Sequence, residues 1–257
     1  MHVLLTNDDG IDESGLRALY DALDALDGVD VTAVAPADDQ SAVGRKLSTR
    51  VDVREHELGF AVEGTPADCV VVGVQSLLEE VDLVVSGCNR GANLGQYTLG
   101  RSGTVSAAVE AAFFEIPAIA VSMYVPTDEV SFRTYDPDPA VYGEAARATA
   151  YLVEETAADG VFGIADYLNV NAPTAGEESC EMVVTEPSTF YDMDAERDGD
   201  VVHLHDRIWE RMNEQDVPDP EGTDRYAVLH GKVSVSPLTA PHTVTYHETL
   251  SGLAVEY

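Results

Sequence analysis

The sequence predicts a doubly wound, mostly parallel α/β sheet, on three observations. Short apolar runs alternate with amphipathic helical segments through the first 125 or so residues. The linking segments are too short for anything but direct crossovers. Polar and glycine-rich clusters recur directly after the apolar runs, where such sheets place their ligands.

His2 to Thr6 is an apolar run stopped by Asn7-Asp8-Asp9-Gly10, which predicts a buried strand and a loop. Leu16, Leu19, Tyr20, Leu23 and Leu26 follow at helical spacing, and Val29 to Ala35 is a second strand ended by Pro36. That β-α-β unit implies a right-handed connection between parallel strands. Lys46 to Val53 and Phe60 to Glu63 suggest a hairpin. Thr65-Pro66 is a helix start, hydroxyl cap before proline, for a helix to about Leu78. Leu83 to Ser86 is the next strand, then a glycine-rich loop from Gly87 to Gly103, a helix over Thr104 to Glu115 and a strand over Ala118 to Ser122. This makes residues 1–125 a Rossmann-like core.

Residues 126–257 are expected to complete the sheet and form an oligomerisation extension, within one structural unit. Pro137 and Pro139 introduce a helix to about Thr156, and Tyr167 to Asn171 reads as one more sheet strand. Cys180 to Glu186 and Val201 to His205 suit strands outside the main sheet. Asp216 to Asp224 reads as a solvated loop, Thr223 to His230 as a short helix and Lys232 to Pro237 as a last strand.

With 257 residues, 14 basic and 47 acidic side chains and a formal net charge of −33, the chain repels nucleic acid polymers and anionic membranes. Apolar residues still make up 45%, which separates it from an acidic disordered chain. The acid excess runs along the whole chain and only Lys46 and Lys232 are lysines, a pattern that suits concentrated salt. Cys69, Cys88 and Cys180 form no disulfide framework, and no stretch reads as a leader or a membrane span, so a cytoplasmic protein is expected.

Adjacent carboxylates at a strand's carboxyl end, Asp8 and Asp9, repel one another unless a cation neutralises them, and a hard divalent ion prefers such oxygen ligands. Asp38-Asp39 is read instead as an exposed turn pair. Ser41, in the loop after the second strand, is either a turn serine or a neutral oxygen ligand. In Ser86-Gly87-Cys88-Asn89-Arg90-Gly91-Ala92-Asn93-Leu94-Gly95, glycines admit close approach of backbone N–H groups to an anion. Asn89 offers a carbonyl or an amide, and Arg90 a cation for phosphate. Ser102-Gly103-Thr104 opens a helix and serves either as a cap or as an anion site. Arg45, Lys46, Arg90 and Arg101 lie in or beside these loops, as a phosphate pocket in an acidic protein requires. The histidines form no HExxH motif, and the one close pair, His203 and His205, lies far along the chain from these loops, which argues against zinc there.

Leu5-Thr6-Asn7-Asp8-Asp9-Gly10-Ile11, Val34-Ala35-Pro36 with Ser41 and Gly44, Gly64-Thr65-Pro66-Ala67-Asp68-Cys69, the run from Val85 to Gly95, Ser102-Gly103-Thr104-Val105 and Ile116-Pro117-Ala118-Ile119-Ala120 together resemble the SurE family of nucleotidases. Leu168 to Pro173 and Thr223-Asp224 through Leu238 are similar to weaker family patterns. The resemblance implies an intracellular phosphatase of nucleoside monophosphates with one divalent ion, Mg²⁺ or Mn²⁺, per site. It implies metal ligation by Asp8, Asp9, Ser41 and Asn89, with Asn93, Ser102, Gly103 and Thr104 lining the phosphate pocket. Beside that, Arg90 is read as a further phosphate contact and Asp8 and Asp9 as the catalytic residues, Asp9 either as base or as covalent nucleophile. It further implies a homodimer or homotetramer with C-terminal segments exchanged between subunits. Gln96 and Arg101 depart from the family's acid after the last loop glycine and its aromatic or His before Ser-Gly-Thr. A signalling receiver needs an aspartate where Ser86-Gly87 stand, and a nucleotide-binding protein without catalysis differs only in turnover.

Overall fold

The computed structural model describes residues 1–125, 137–156, 160–176 and 179–240. β1 (His2–Thr6), α1 (Ser14–Asp24) and β2 (Asp30–Pro36) form the expected first unit, with His2 opposite Asp30 and Leu5 opposite Ala33 in parallel register. Leu16, Leu19 and Leu23 of α1 are fully buried against the sheet. The helix comes so close that a Cβ on Gly15 would sit 2.2 Å from the Cys88 carbonyl oxygen, which only glycine tolerates.

The hairpin is β3 (Val53–His56) and β4 (Gly59–Val62), so its first strand begins where the sequence reading ended it. Residues 46–48 are held by a different partner. The Lys46 carbonyl accepts from the Thr65 hydroxyl, and the Ser48 N–H donates to Asp68. Val53, Arg54 and Glu55 form an exposed edge, which has no apolar alternation to betray it. α2 (Pro66–Val72) starts on a reciprocal cap between Thr65 and Asp68 and runs into a π-helical turn, Gly73–Leu77.

β5 (Leu83–Arg90) is longer than expected. It carries Gly87, Cys88, Asn89 and Arg90 as strand, so the loop proper starts at Gly91. It pairs with β1 on one side and β6 (Ala118–Tyr124) on the other, with an irregularity between Ser86 and Asn89. Between them lie α3 (Gln96–Leu99), which the sequence did not indicate, and α4 (Gly103–Phe113). α5 (Gly143–Thr156) follows a 3₁₀ turn at Pro139–Tyr142 and leads to β7 (Tyr167–Pro173).

β8 (Met182–Val184) lies within the expected Cys180–Glu186 segment but not outside the main sheet. It is the edge strand, parallel to β11 (Val233–Leu238), which itself runs antiparallel to β7. β9 (Met193–Asp198) and β10 (Val201–Asp206) form a separate antiparallel ribbon, exposed along both strands. α6 (Ile208–Asn213) and α7 (Asp224–Leu229) complete the described elements. Residues 241–257, part of the expected exchange extension, lie outside the described residues.

The large sheet runs β3-β4-β2-β1-β5-β6-β7-β11-β8. One face is packed by α1 and α5 and the other by α2 and α4, each over its own apolar cluster. β1 and β5 are therefore covered on both faces, and their carboxyl ends open at one rim. Among the described residues no helix is long and apolar enough to cross a membrane.

Candidate active site

β1 is apolar to its end because it lies in the middle of the sheet, and its last residues turn within buried surroundings. Thr6 and Asn7 have no exposed surface, and Asp8 and Asp9 keep 3% and 7%. The Asn7 side chain closes this turn, donating to the Gly10 carbonyl at 2.7 Å and accepting the Gly10 N–H at 3.2 Å. Gly10 itself has φ +126°, beyond the easy range of other residues.

Both carboxylates are met by donors from distant segments. Thr104 Oγ1 donates to Asp8 Oδ1 at 2.6 Å, and the Thr104 backbone adds a second bond. The start of α4, expected as a phosphate site, thus faces an aspartate. The Arg90 N–H donates to Asp9 Oδ2 at 2.9 Å. Burial pushes Asp8 up to about 6 against the pull of Thr104, and burial with the neighbouring Asp8 charge pushes Asp9 up to about 7. Thr104 and the Arg90 N–H thus orient the two adjacent carboxylates at the end of β1. A Cβ on Gly103 would stand 2.8 Å from Asp8 Oδ2, so glycine keeps that oxygen's surroundings open.

Ser41 is exposed, and its hydroxyl and N–H both donate to Asp39 Oδ1. Asp38 and Asp39 are exposed as expected. Asp39 has a further effect, since its charge also raises Asp8. The loop touches the aspartates through its backbone, the Gln40 N–H donating to the Asp8 carbonyl at 2.7 Å. Asn89 gives its amide to the Gly91 carbonyl, a bond in which its own carbonyl oxygen takes no part.

Asp8, Asp9, Asn89, Arg90 and Thr104 are therefore brought together, with Ser41 on the adjoining loop. Asn93 is anchored inward. Its amide donates to Ser122 Oγ at 2.8 Å, its N–H to Asn171 Oδ1 at 2.8 Å, and its carbonyl accepts from Asn169 and Asn171. Ser102 caps α4, accepting from the Val105 N–H. Of the four nearby cations, Arg45 turns to Glu110 and the Phe113 ring, Arg101 lies 3.7 Å over the Tyr97 ring, and Arg90 approaches Glu13 at 3.6 Å. The other face of Tyr97 stacks on Tyr191, whose ring is largely exposed. Among the described residues no three His, Cys, Asp or Glu side chains cluster as metal ligands. Any cation at this rim has to complete its shell with neutral oxygens.

Asn169, Asn171, Ser122, Ser188 and Asp224 were missed as loop anchors. The two asparagines left a signal, being alternate polar residues on one face of an otherwise apolar strand.

The model of the family described as "Survival protein SurE" matches residues 3–192. A protein of Haloarcula marismortui named 5′-nucleotidase SurE is 62% identical over 99% of this chain and 94% of its own length. One of the same name from Natronomonas pharaonis is also 62% identical, over the full length of both. The crystal structure of the SurE protein from Aquifex aeolicus superposes with a TM-score of 0.79 at 32% identity, covering 100% of this chain and 99% of that one. With the fold, the rim and the full-length likeness in agreement, the chain belongs to the SurE family.

Proposed function

We propose that the chain is a divalent-metal-dependent 5′-nucleotidase, hydrolysing nucleoside monophosphates to nucleoside and phosphate. The observation that carries this reading is the pair of adjacent buried aspartates, each oriented by a donor from a distant segment. Unneutralised, such a pair is costly, so the donor set fits a hard cation. Asp8, Asp9, Ser41 and Asn89 would hold one Mg²⁺ or Mn²⁺, Ser41 by turning from Asp39. When bound, the ion polarises a phosphoryl oxygen and offsets charge on the phosphate.

The chain's own groups supply the rest. Thr104 and the Arg90 N–H fix the carboxylate planes. Arg90, Asn93, Ser102, Gly103 and Thr104 would flank the phosphate side and offset charge on its equatorial oxygens. Asp9, oriented by the Arg90 N–H beside Asp8, is the group proposed to take a proton from attacking water. The water oxygen bonds to phosphorus as the P–O ester bond breaks, and the leaving alkoxide takes up a proton. The exposed Tyr97–Tyr191 stack at the same rim favours a substrate carrying a nucleobase.

The reading includes a cytoplasmic homodimer or homotetramer. The exposed Val201, Val202 and Leu204 of the ribbon support self-association. A phosphate-release assay on nucleoside monophosphates in concentrated KCl, run with Mg²⁺, with Mn²⁺ and with chelator, tests the function. Turnover with metal and none with chelator is expected, whereas binding without turnover would leave a nucleotide-binding protein.

A further inference from the structure

Asp224 has no exposed surface, although it stands at the start of the short helix α7, far from β1 in sequence. Its carboxylate is met by backbone N–H groups. Oδ2 accepts from Gly95 at 2.7 Å, and Oδ1 accepts from Ser188 at 2.9 Å and from Arg225 at 2.7 Å. A buried carboxylate is costly without such donors, so three of them converging on it make a built arrangement.

Arg225, also buried, braces the same point. Its Nη1 binds both oxygens of Asp219, at 2.8 and 3.1 Å, and the Ser188 hydroxyl at 3.0 Å, while Nη2 reaches the Phe190 carbonyl at 3.2 Å. Gly95 is pressed into this surface. It has φ +78°, and a Cβ there would meet Arg225 Nη2 at 2.6 Å and the Ser188 carbonyl oxygen at 3.2 Å. The next residue, Gln96, donates its N–H to that Ser188 carbonyl at 2.8 Å.

We propose that Asp224, braced by Arg225, is a positioning residue that fixes the far end of the 91–95 loop over the phosphate. The near end has its own fastenings, through Asn89 to Gly91 and through Asn93 to Ser122 and β7. Freeing the Gly95 end therefore loosens the phosphate contacts but not the cation ligands, because Asn89 lies on β5 beyond the reach of Asp224. The inference rests on the nucleotidase reading above. It separates loop positioning from metal binding, which a merely structural role does not do.

The test compares Asp224→Asn with Gly95→Ala. The first leaves one acceptor oxygen for three N–H groups. The second displaces the same loop end by pressing on Arg225 Nη2 while leaving the Asp224 carboxylate in place. In each, the KM for a nucleoside monophosphate and the inhibition constant of inorganic phosphate are expected to rise about tenfold, with kcat changed less. The Mn²⁺ dissociation constant should stay within about twofold of wild type. Leu23→Ala, a destabilising change in the buried face of α1, controls for lost stability and should leave KM and phosphate inhibition as they were. Wild-type values of both constants in folded Asp224→Asn and Gly95→Ala overturn the proposal, as does an equal rise in Leu23→Ala. If Asp224→Asn does not fold, Gly95→Ala alone decides. Full activity in Asp8→Asn would instead remove the underlying nucleotidase reading, a separate outcome.

Discussion

The hydroxyl of Thr104 donates to Asp8 across 2.6 Å, tying the first turn of α4 to the end of β1. It is the bond that most directly favours the charged form of Asp8 against burial. In Thr104→Val the carboxyl should move further up, since desolvation is then less opposed. A hydrogen bond to a charged group contributes about 1.5–3 kcal/mol, so Mn²⁺ affinity at neutral pH should fall about tenfold or more. The acidic limb of the activity profile should move to higher pH. A calorimetric titration together with a pH series checks both.

Asp8 and Asp9 also set a pH dependence of stability in metal-free protein. Their folded values, about 6 and about 7, lie above the ordinary 3.8. Between about pH 4 and 7 the folded chain therefore keeps protons that the unfolded chain has released. This contribution is fully present below the unfolded value and is lost as pH rises through the folded ones. Each retained proton gives a slope of at most about 1.4 kcal/mol per pH unit. With chelator present, the melting temperature of wild type relative to Asp9→Asn should fall across that window. Added Mn²⁺ should flatten the fall above neutrality, because the cation replaces the protons.

Tyr191 stacks on Tyr97 with its outer face exposed, and a nucleobase stacked there loses its support in Tyr191→Ala. The KM for a nucleoside monophosphate should rise severalfold, from about 1 kcal/mol of lost stacking. The KM for a phosphate ester without a base should stay put. Equal changes for both substrates would take the base away from this surface.

Several of the arginines are already paired on the surface, as Arg17 with Glu57, Arg54 with Glu63 and Arg207 with Asp194, and most acids remain uncompensated. Repulsion among them is screened over about 3 Å in molar salt and about 10 Å at 0.1 M. Circular dichroism should show unfolding on dialysis to low ionic strength and recovery in concentrated KCl. Salt-indifferent melting would remove the salt-adaptation reading.

The parts of the site that the sequence made legible are those whose signal is local. Asp8 and Asp9 interrupt an apolar run, and Thr65-Pro66 announces a helix within two residues. The sheet core was legible for the same reason, since covered strands such as β1 and β6 are continuously apolar. β3 was displaced because an exposed edge strand carries no such mark, and β8 was set apart because nothing local tells which edge it joins. Asp224 was hidden by distance, its bond to Gly95 spanning 129 positions. Thr104 was visible as a helix start, but whether it faced a phosphate or an aspartate depended on where β1 ended in space.

The most direct measurement is a Mn²⁺ titration by calorimetry of wild type and of Asp9→Asn, at pH 8 in concentrated KCl. One site per chain in wild type, and a loss of affinity of about a hundredfold or more in a folded Asp9→Asn, is the expected result. Undiminished Mn²⁺ binding in Asp9→Asn, or none in wild type, would contradict a cation held between β1 and β5.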